Sequence, residues 1–141
     1  MPRSATESVQ DTQAGQGLAI AAESLYVANL LILPLFAFLA LLLLYLKHNG
    51  KAPPLAQSHL EQTVRAGIGI ALMFMTAAAI VVLLRMQGME DMNLWMIVVL
   101  AFTIMHASMV LLGVIGLARA MAGKCWRYPL FGKALPRDCP Y

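Results

Sequence analysis

Three long apolar runs without a charged side chain constrain what this chain can fold into. They cover residues 25–46, 66–84 and 94–117 and contain 22, 19 and 24 residues. A helix needs about 20 apolar residues to cross the hydrocarbon core of a bilayer. Helices satisfy their own backbone hydrogen bonds in lipid, whereas single strands do not. The sequence therefore predicts an all-α integral membrane protein with three transmembrane helices joined by short loops.

The composition agrees with a lipid environment. Hydrophobic residues make up 60% of the chain and charged residues 12%, against roughly 25% charged in an ordinary soluble domain. We expect a polar, disordered outer tail at 1–16, a transmembrane domain at 17–122, and an aromatic and basic cytoplasmic tail at 123–141. No signal-peptide pattern precedes the first run, so we expect this run to be a permanent span.

The distribution of basic residues predicts the orientation. With three spans, the first loop and the C-terminal tail share one side of the membrane. Eight Lys and Arg residues fall on that side, and two, Arg3 and Arg85, on the other. By the positive-inside rule the base-rich side is cytoplasmic. We therefore expect a multi-pass protein of the bacterial inner membrane, with its N-terminus and Glu23 outside and its C-terminus inside.

The segment GKCWRYPLFGKALP, residues 123–136, follows the third run directly. Aromatic rings favour the headgroup region of a bilayer, and bases there meet anionic lipids. This pattern predicts an interfacial lipid anchor, although a specific contact with another subunit is also compatible with it. The predicted anchor residues are Lys124, Trp126, Arg127, Tyr128 and Phe131.

Two cysteines, Cys125 and Cys139, lie fourteen residues apart in the same tail. This is not a spacing typical of a zinc or a redox site. A reducing cytosol keeps cysteines as thiols. We therefore expect free thiols with a structural or incidental role.

Polar and small residues within the apolar runs predict how the helices pack. His106 falls at the midpoint of the third run and Thr76 near the midpoint of the second, so the two side chains could lie at equal depth. Gly113 and Gly116 allow close approach of helix backbones. We expect a neutral His106 that bonds across a helix interface. A ligand or proton-transfer role for His106 is the alternative.

Three methionines, Met86, Met89 and Met92, surround the second loop at intervals of three. Thioethers are soft ligands that suit Cu(I), so copper handling by these methionines, with His106, is an alternative reading. Methionine is also a common gap-filler between packed helices. We expect no metal and no cofactor, and the absence of any known catalytic motif predicts a protein that is not an enzyme.

Two segments carry a family resemblance. HNGKAPPLAQSHLEQTVRAG contains His59 and Gln62 in an amphipathic stretch before the second run, and ARAMAGKCWRYPLF carries an Arg-Tyr-Pro-Leu motif. Together they resemble the Tic-twenty-like family of small bacterial membrane proteins, distant relatives of the chloroplast inner-envelope import channel component. The resemblance covers about residues 23–131 and implies three helices with short loops.

These features together predict a role. We expect a non-catalytic accessory or assembly subunit of a larger inner-membrane complex. Its partners would be membrane lipids and other membrane protein subunits, and not nucleic acid. The alternative is a small transport or channel component with His106 in its pathway.

Overall fold

Four helices make up the chain in the computed structural model, which describes residues 5–89, 91–135 and 139, with side chains from residue 15 onward. The helices are α1 (Ala5–Leu31), α2 (Phe36–His48), α3 (Pro54–Met86) and α4 (Met92–Met121). Every regular element in these ranges is helical, which confirms the all-α prediction. Because α1 begins at Ala5, helix occupies most of the segment predicted to be disordered. The part of that prediction concerning residues 1–4 lies outside the described residues.

The first apolar run is divided between two helices. Pro34 lacks an N–H and disrupts helical hydrogen bonding, and α1 ends at Leu31. Leu35 takes φ 73°, a conformation that bulky side chains rarely adopt. Its N–H donates to Asn29 Oδ1 at 3.1 Å. The expectation of one transmembrane helix through residues 25–46 is therefore wrong, because the chain forms two helices that are separated at Pro34.

Contacts between α1 and α4 show that these helices run antiparallel. Gln16, early in α1, donates from Nε2 to the carbonyl of Met121 at the end of α4, at 2.6 Å. Tyr26, later in α1, packs against Gly113, which precedes Met121 in α4. The beginning of α1 therefore lies beside the C-terminal end of α4.

Helix α2 returns along α3 toward the same end. Phe38 packs against Gly67, and Asn49, just after α2, accepts a hydrogen bond from Gln57 Nε2 at 2.7 Å. The α1–α2 hairpin thus begins and ends beside the start of α3. It reverses direction at residues 32–35, where Ile32 and its apolar neighbours are exposed.

The hairpin divides the molecule into two halves. All buried residues of α3 lie between Leu55 and Ile70, and those of α4 between Met109 and Ala120. We call residues 5–70 and residues 109–135 with Cys139 the tail half, which includes α1, α2 and the start of α3. The remainder, residues 71–89 and 91–108, is the loop half. Four helices pack in the tail half, whereas only α3 and α4 extend through the loop half.

The loop half carries a continuous apolar surface. Two described helices, α3 and α4, are long and apolar enough to cross a membrane, and only 11% of each apolar window is buried. The core helix of a soluble protein is mostly buried, so this surface needs another covering. The exposed apolar side chains are Leu72, Met75, Ile80, Val82, Leu83 and Met86 on α3, and Met92, Trp95, Met96, Ile97, Val99, Leu100, Phe102 and Ile104 on α4.

Candidate functional site

Three buried polar side chains from distant parts of the sequence meet in the tail half. They are Glu23 of α1, His59 of α3 and Tyr128 of the C-terminal tail, exposed by 0%, 0% and 1%. His59 Nδ1 lies 2.6 Å from Glu23 Oε1. The Tyr128 hydroxyl donates to Glu23 Oε2 at 2.7 Å. We call these three residues the buried triad.

The partners of His59 determine where its protons lie. His59 Nε2 is 3.0 Å from the carbonyl oxygen of Lys124, and a carbonyl only accepts, so Nε2 carries a hydrogen. The Tyr128 hydroxyl donates to the other Glu23 oxygen. One proton therefore remains between His59 Nδ1 and Glu23 Oε1. The pair is neutral overall whichever of the two atoms holds that proton.

Glycines on α4 make room for this arrangement. A Cβ added at Gly116 would lie 2.6 Å from Glu23 Oε2, and one at Gly113 would lie 2.8 Å from the ring of Tyr26. Both distances are shorter than real contacts allow, so α1 approaches α4 closely only because these positions lack side chains. The predicted packing role of these glycines thus corresponds to contacts with α1.

Tyr128 is held as a neutral donor. Burial, and next the nearby charge of Glu23, raise the pKa of Tyr128 far above its ordinary value, because both disfavour a phenolate. Its ring packs edge-on against Tyr26, with 5.3 Å between centroids. Tyr128 was predicted to anchor the tail in lipid, but it points into the protein and contacts α1.

The other predicted anchor residues have mixed surroundings. Trp126 is half-buried, and the Arg119 guanidinium lies 5.8 Å from its ring centre. Phe131 is half-buried and lies against the backbone of Gly69. The side chains of Lys124 and Arg127 are exposed. These two bases are free to meet headgroups, and their anchoring role stays a prediction.

The two cysteines form a disulfide, with 5.9 Å between their Cα atoms. The expectation of free thiols is therefore wrong in this structure. Turns at residues 129–131 fold the tail back on itself, which brings Cys125 and Cys139 within the range that a disulfide requires. Sequence spacing alone did not reveal this reversal. The closed loop includes Tyr128 of the buried triad.

His106 lies apart from this site. It is half-buried in the loop half, and its ring stacks on that of Phe102 with 5.6 Å between centroids. The Thr76 hydroxyl donates to the Leu72 carbonyl of its own helix at 2.9 Å, and not to His106. A bond from His106 across a helix interface therefore stays a prediction.

The three loop methionines are all exposed, Met86 and Met92 by 79% and 80%. Among the described residues no group of three or more His, Cys, Asp or Glu side chains is placed to hold a metal ion. Ligation of copper by three methionine thioethers and one histidine does not need such a group, so the copper alternative stays a prediction.

Sequence reasoning missed the triad because it placed Glu23 on the opposite side of the membrane from the tail. In the three-span prediction, an odd number of spans lies between residues 23 and 128, which places the two residues on opposite sides of the membrane. A first run that turns back reverses that conclusion and brings the two residues together. The available signals were Pro34 within the first run and Glu23 two residues before it.

The fold and the site define a small helical protein with two long apolar helices, a helical hairpin at one end and an internally bonded polar cluster. Its family follows from comparison with known proteins. A family model matches residues 16–135, and the chain belongs to that family, the MamF/MmsF magnetosome magnetite crystal formation protein family. No curated protein and no solved structure matched the chain.

The expected membership of the Tic-twenty-like family is wrong, because the family model that matches is the magnetosome one. The earlier resemblance relied on hydropathy and on a four-residue motif. Hydropathy is common to helical membrane proteins and carries little family-specific information.

Proposed function

We propose that this protein is a magnetosome membrane protein that takes part in magnetite crystal formation as a non-catalytic accessory component. The family match extends over residues 16–135, which include the buried triad, most of α1 and the whole of the other three helices. The family match therefore covers the whole helical bundle and not a separate domain, so we assign the role in crystal formation to the bundle.

Helices α3 and α4 cross the membrane, and the α1–α2 hairpin enters it from the tail side and returns. The exposed apolar surface of the loop half supports this arrangement, since hydrocarbon would cover it. In this topology the start of α1 and the C-terminal tail lie on the same side. This replaces the expected N-out, C-in arrangement of three spans.

The tail side is cytoplasmic in this proposal. Seven of the described Lys and Arg residues belong to the tail half, whereas Arg85 alone belongs to the loop half, and basic residues concentrate on the cytoplasmic side. The Cys125–Cys139 disulfide argues for an oxidising compartment instead. We give precedence to the bases, because they act during insertion, whereas a disulfide can form afterwards.

The non-catalytic role rests on the buried triad. The polar atoms of the triad bond to one another and to the Lys124 carbonyl. Groups that catalyse reactions need access to a substrate, whereas Glu23 and His59 are fully buried. The triad is better suited to fastening α1, α3 and the tail together.

Deletion and complementation in a magnetite-forming host test this function. We expect deletion to change the size or number of magnetite crystals seen by electron microscopy, and the intact gene to restore them. A Glu23→Gln variant keeps a donor and an acceptor for the triad and should restore the crystals as well. Normal crystals after deletion would contradict the proposed role, and failure of Glu23→Gln at normal protein levels would contradict its non-catalytic nature.

A further inference from the structure

A cavity lined mainly by residues with polar side chains lies in the tail half, separate from the buried triad. Its volume is about 200 Å³, and it is partly open to the outside. One wall is the first turns of α3, and the other is the C-terminal tail. The lining residues are Gln57, Ser58, Glu61, Gln62, Lys133 and Ala134.

Two buried polar atoms of this lining have no hydrogen-bond partner among the described residues. They are Ser58 Oγ and Gln62 Oε1, on residues that are only 4% and 2% exposed. The Gln62 amide nitrogen is already used, since it donates to the Lys133 carbonyl at 2.9 Å. Buried polar atoms are nearly always bonded, so Gln62 Oε1 in particular needs a donor beyond the described residues.

Opposite charges flank these two atoms. Lys133 Nζ lies 3.3 Å from Glu61 Oε2, and Gln57 Nε2 donates to Glu61 Oε1 at 2.8 Å. The cavity is thus neutral overall, with a carboxylate beside the unpartnered oxygens and an ammonium at its exposed rim. A ligand with three N–H donors at one end and an anion at the other matches this distribution, because a primary ammonium only donates.

The depth of the cavity suits a lipid headgroup. Glu61 and Gln62 precede the apolar part of α3, which begins at Ala66, by four or five residues. At 1.5 Å per helical residue this places them about 6–8 Å outside the hydrocarbon. The headgroup layer occupies that depth.

We propose that this cavity binds the headgroup of phosphatidylethanolamine. The ammonium donates to Ser58 Oγ, Gln62 Oε1 and the Glu61 carboxylate, and the phosphate meets the Lys133 ammonium. This inference rests on the membrane location in the proposed function, but not on the role in crystal formation. It predicts that the tail half prefers lipids whose headgroup carries N–H donors.

Phosphatidylcholine provides the decisive comparison, because it has the same phosphate and the same positive charge but no N–H group. The full-length protein is purified from membranes that contain both lipids in equal amounts, and retained lipids are counted by native mass spectrometry. We expect phosphatidylethanolamine to be retained about tenfold over phosphatidylcholine, the ratio that one or two hydrogen bonds provide. Equal retention would overturn the proposal.

Ser58→Ala sharpens this test. It removes an unpartnered hydroxyl, so the melting temperature without lipid should be unchanged or slightly raised. The lipid ratio should nevertheless fall several-fold. Ser108→Ala is the matched control, because the Ser108 hydroxyl bonds to Ile104 of its own helix in the loop half, and it should leave the ratio unchanged. An unchanged ratio in Ser58→Ala would count against the assigned contacts.

Soluble phosphoethanolamine separates a lipid from a free small molecule. It carries the same headgroup without acyl chains. We expect millimolar phosphoethanolamine to leave the bound lipid in place. Complete displacement at that concentration would overturn the lipid assignment and identify a soluble amine as the ligand. Neither outcome depends on crystal formation, so failure here is distinguishable from failure of the proposed function.

Discussion

The tail half and the loop half of this molecule are stabilised in different ways. In the tail half, side chains from α1, α3 and the C-terminal tail bond to one another across the bundle, as Glu23, His59 and Tyr128 do. In the loop half, hydroxyl groups such as those of Thr76 and Thr103 bond to their own helices. Tertiary contacts thus specify the tail half, whereas backbone bonding and the surrounding lipid maintain the loop half. Substitutions should therefore cost far more in the tail half.

The largest effect is expected for Glu23→Leu. It leaves the His59 ring and the Tyr128 hydroxyl buried without their shared partner, and breaking a buried pair in this way costs about 3–5 kcal/mol. The measurement is thermal unfolding in detergent. Ser24→Leu, at the exposed neighbouring position in α1, is the control and should change stability little. Equal effects of both variants on the melting temperature would contradict the stabilising role of the buried triad.

Reduction of the Cys125–Cys139 disulfide should release the tail. A loop of this length contributes about 3 kcal/mol in the chain-entropy description, and the loop includes Tyr128. We expect a reducing agent to lower the melting temperature and to expose the tail to protease. The Cys125→Ser, Cys139→Ser double variant should be equally destabilised but insensitive to the reducing agent. A melting temperature independent of the reducing agent in the unmodified protein would contradict the role of the disulfide.

Gly116→Ala should destabilise by a smaller amount. The added Cβ would meet the Glu23 carboxylate at 2.6 Å, and overpacking of this kind costs about 1–3 kcal/mol. Gly17→Ala is the matched control, because nothing lies within 4 Å of its added Cβ. That variant should be neutral or stabilising by roughly 0.5–1 kcal/mol, because alanine favours helix more than glycine does. Similar melting temperatures for the two variants would contradict close packing of α1 on α4.

The smallest effect is expected for His106→Gln in the loop half. A hydrogen bond between membrane helices contributes about 0.6 kcal/mol on average, and glutamine keeps both donor and acceptor capacity. Stability and crystal formation in the host should therefore be nearly unchanged. Loss of crystal formation by a stable His106→Gln protein would favour the transport or metal alternative, because an amide does not titrate near neutral pH.

The sequence was sufficient for the helical class and for the two long apolar helices, because these follow from hydropathy and length. It was insufficient for the path of the first run, because a proline such as Pro34 is compatible with either a kinked helix or a turn. That ambiguity decides on which side Glu23 lies, and hence whether it meets His59 and Tyr128. The polar residues of the tail half were visible individually, but their meeting depended on a topology that hydropathy does not determine.

The central claim is that the start of α1 and the first loop lie on the same side of the membrane. Single cysteines at Gly17, Gln87 and Lys51, in the Cys125→Ser, Cys139→Ser background, test this claim with an impermeant thiol reagent in intact cells of a bacterial host without magnetosomes, in which the protein inserts into the inner membrane. We expect Gln87→Cys to react in intact cells, and Gly17→Cys and Lys51→Cys to react only after lysis. Reaction of Gly17→Cys in intact cells, with Lys51→Cys still protected, would mean that the first run crosses the membrane and would contradict the helical hairpin.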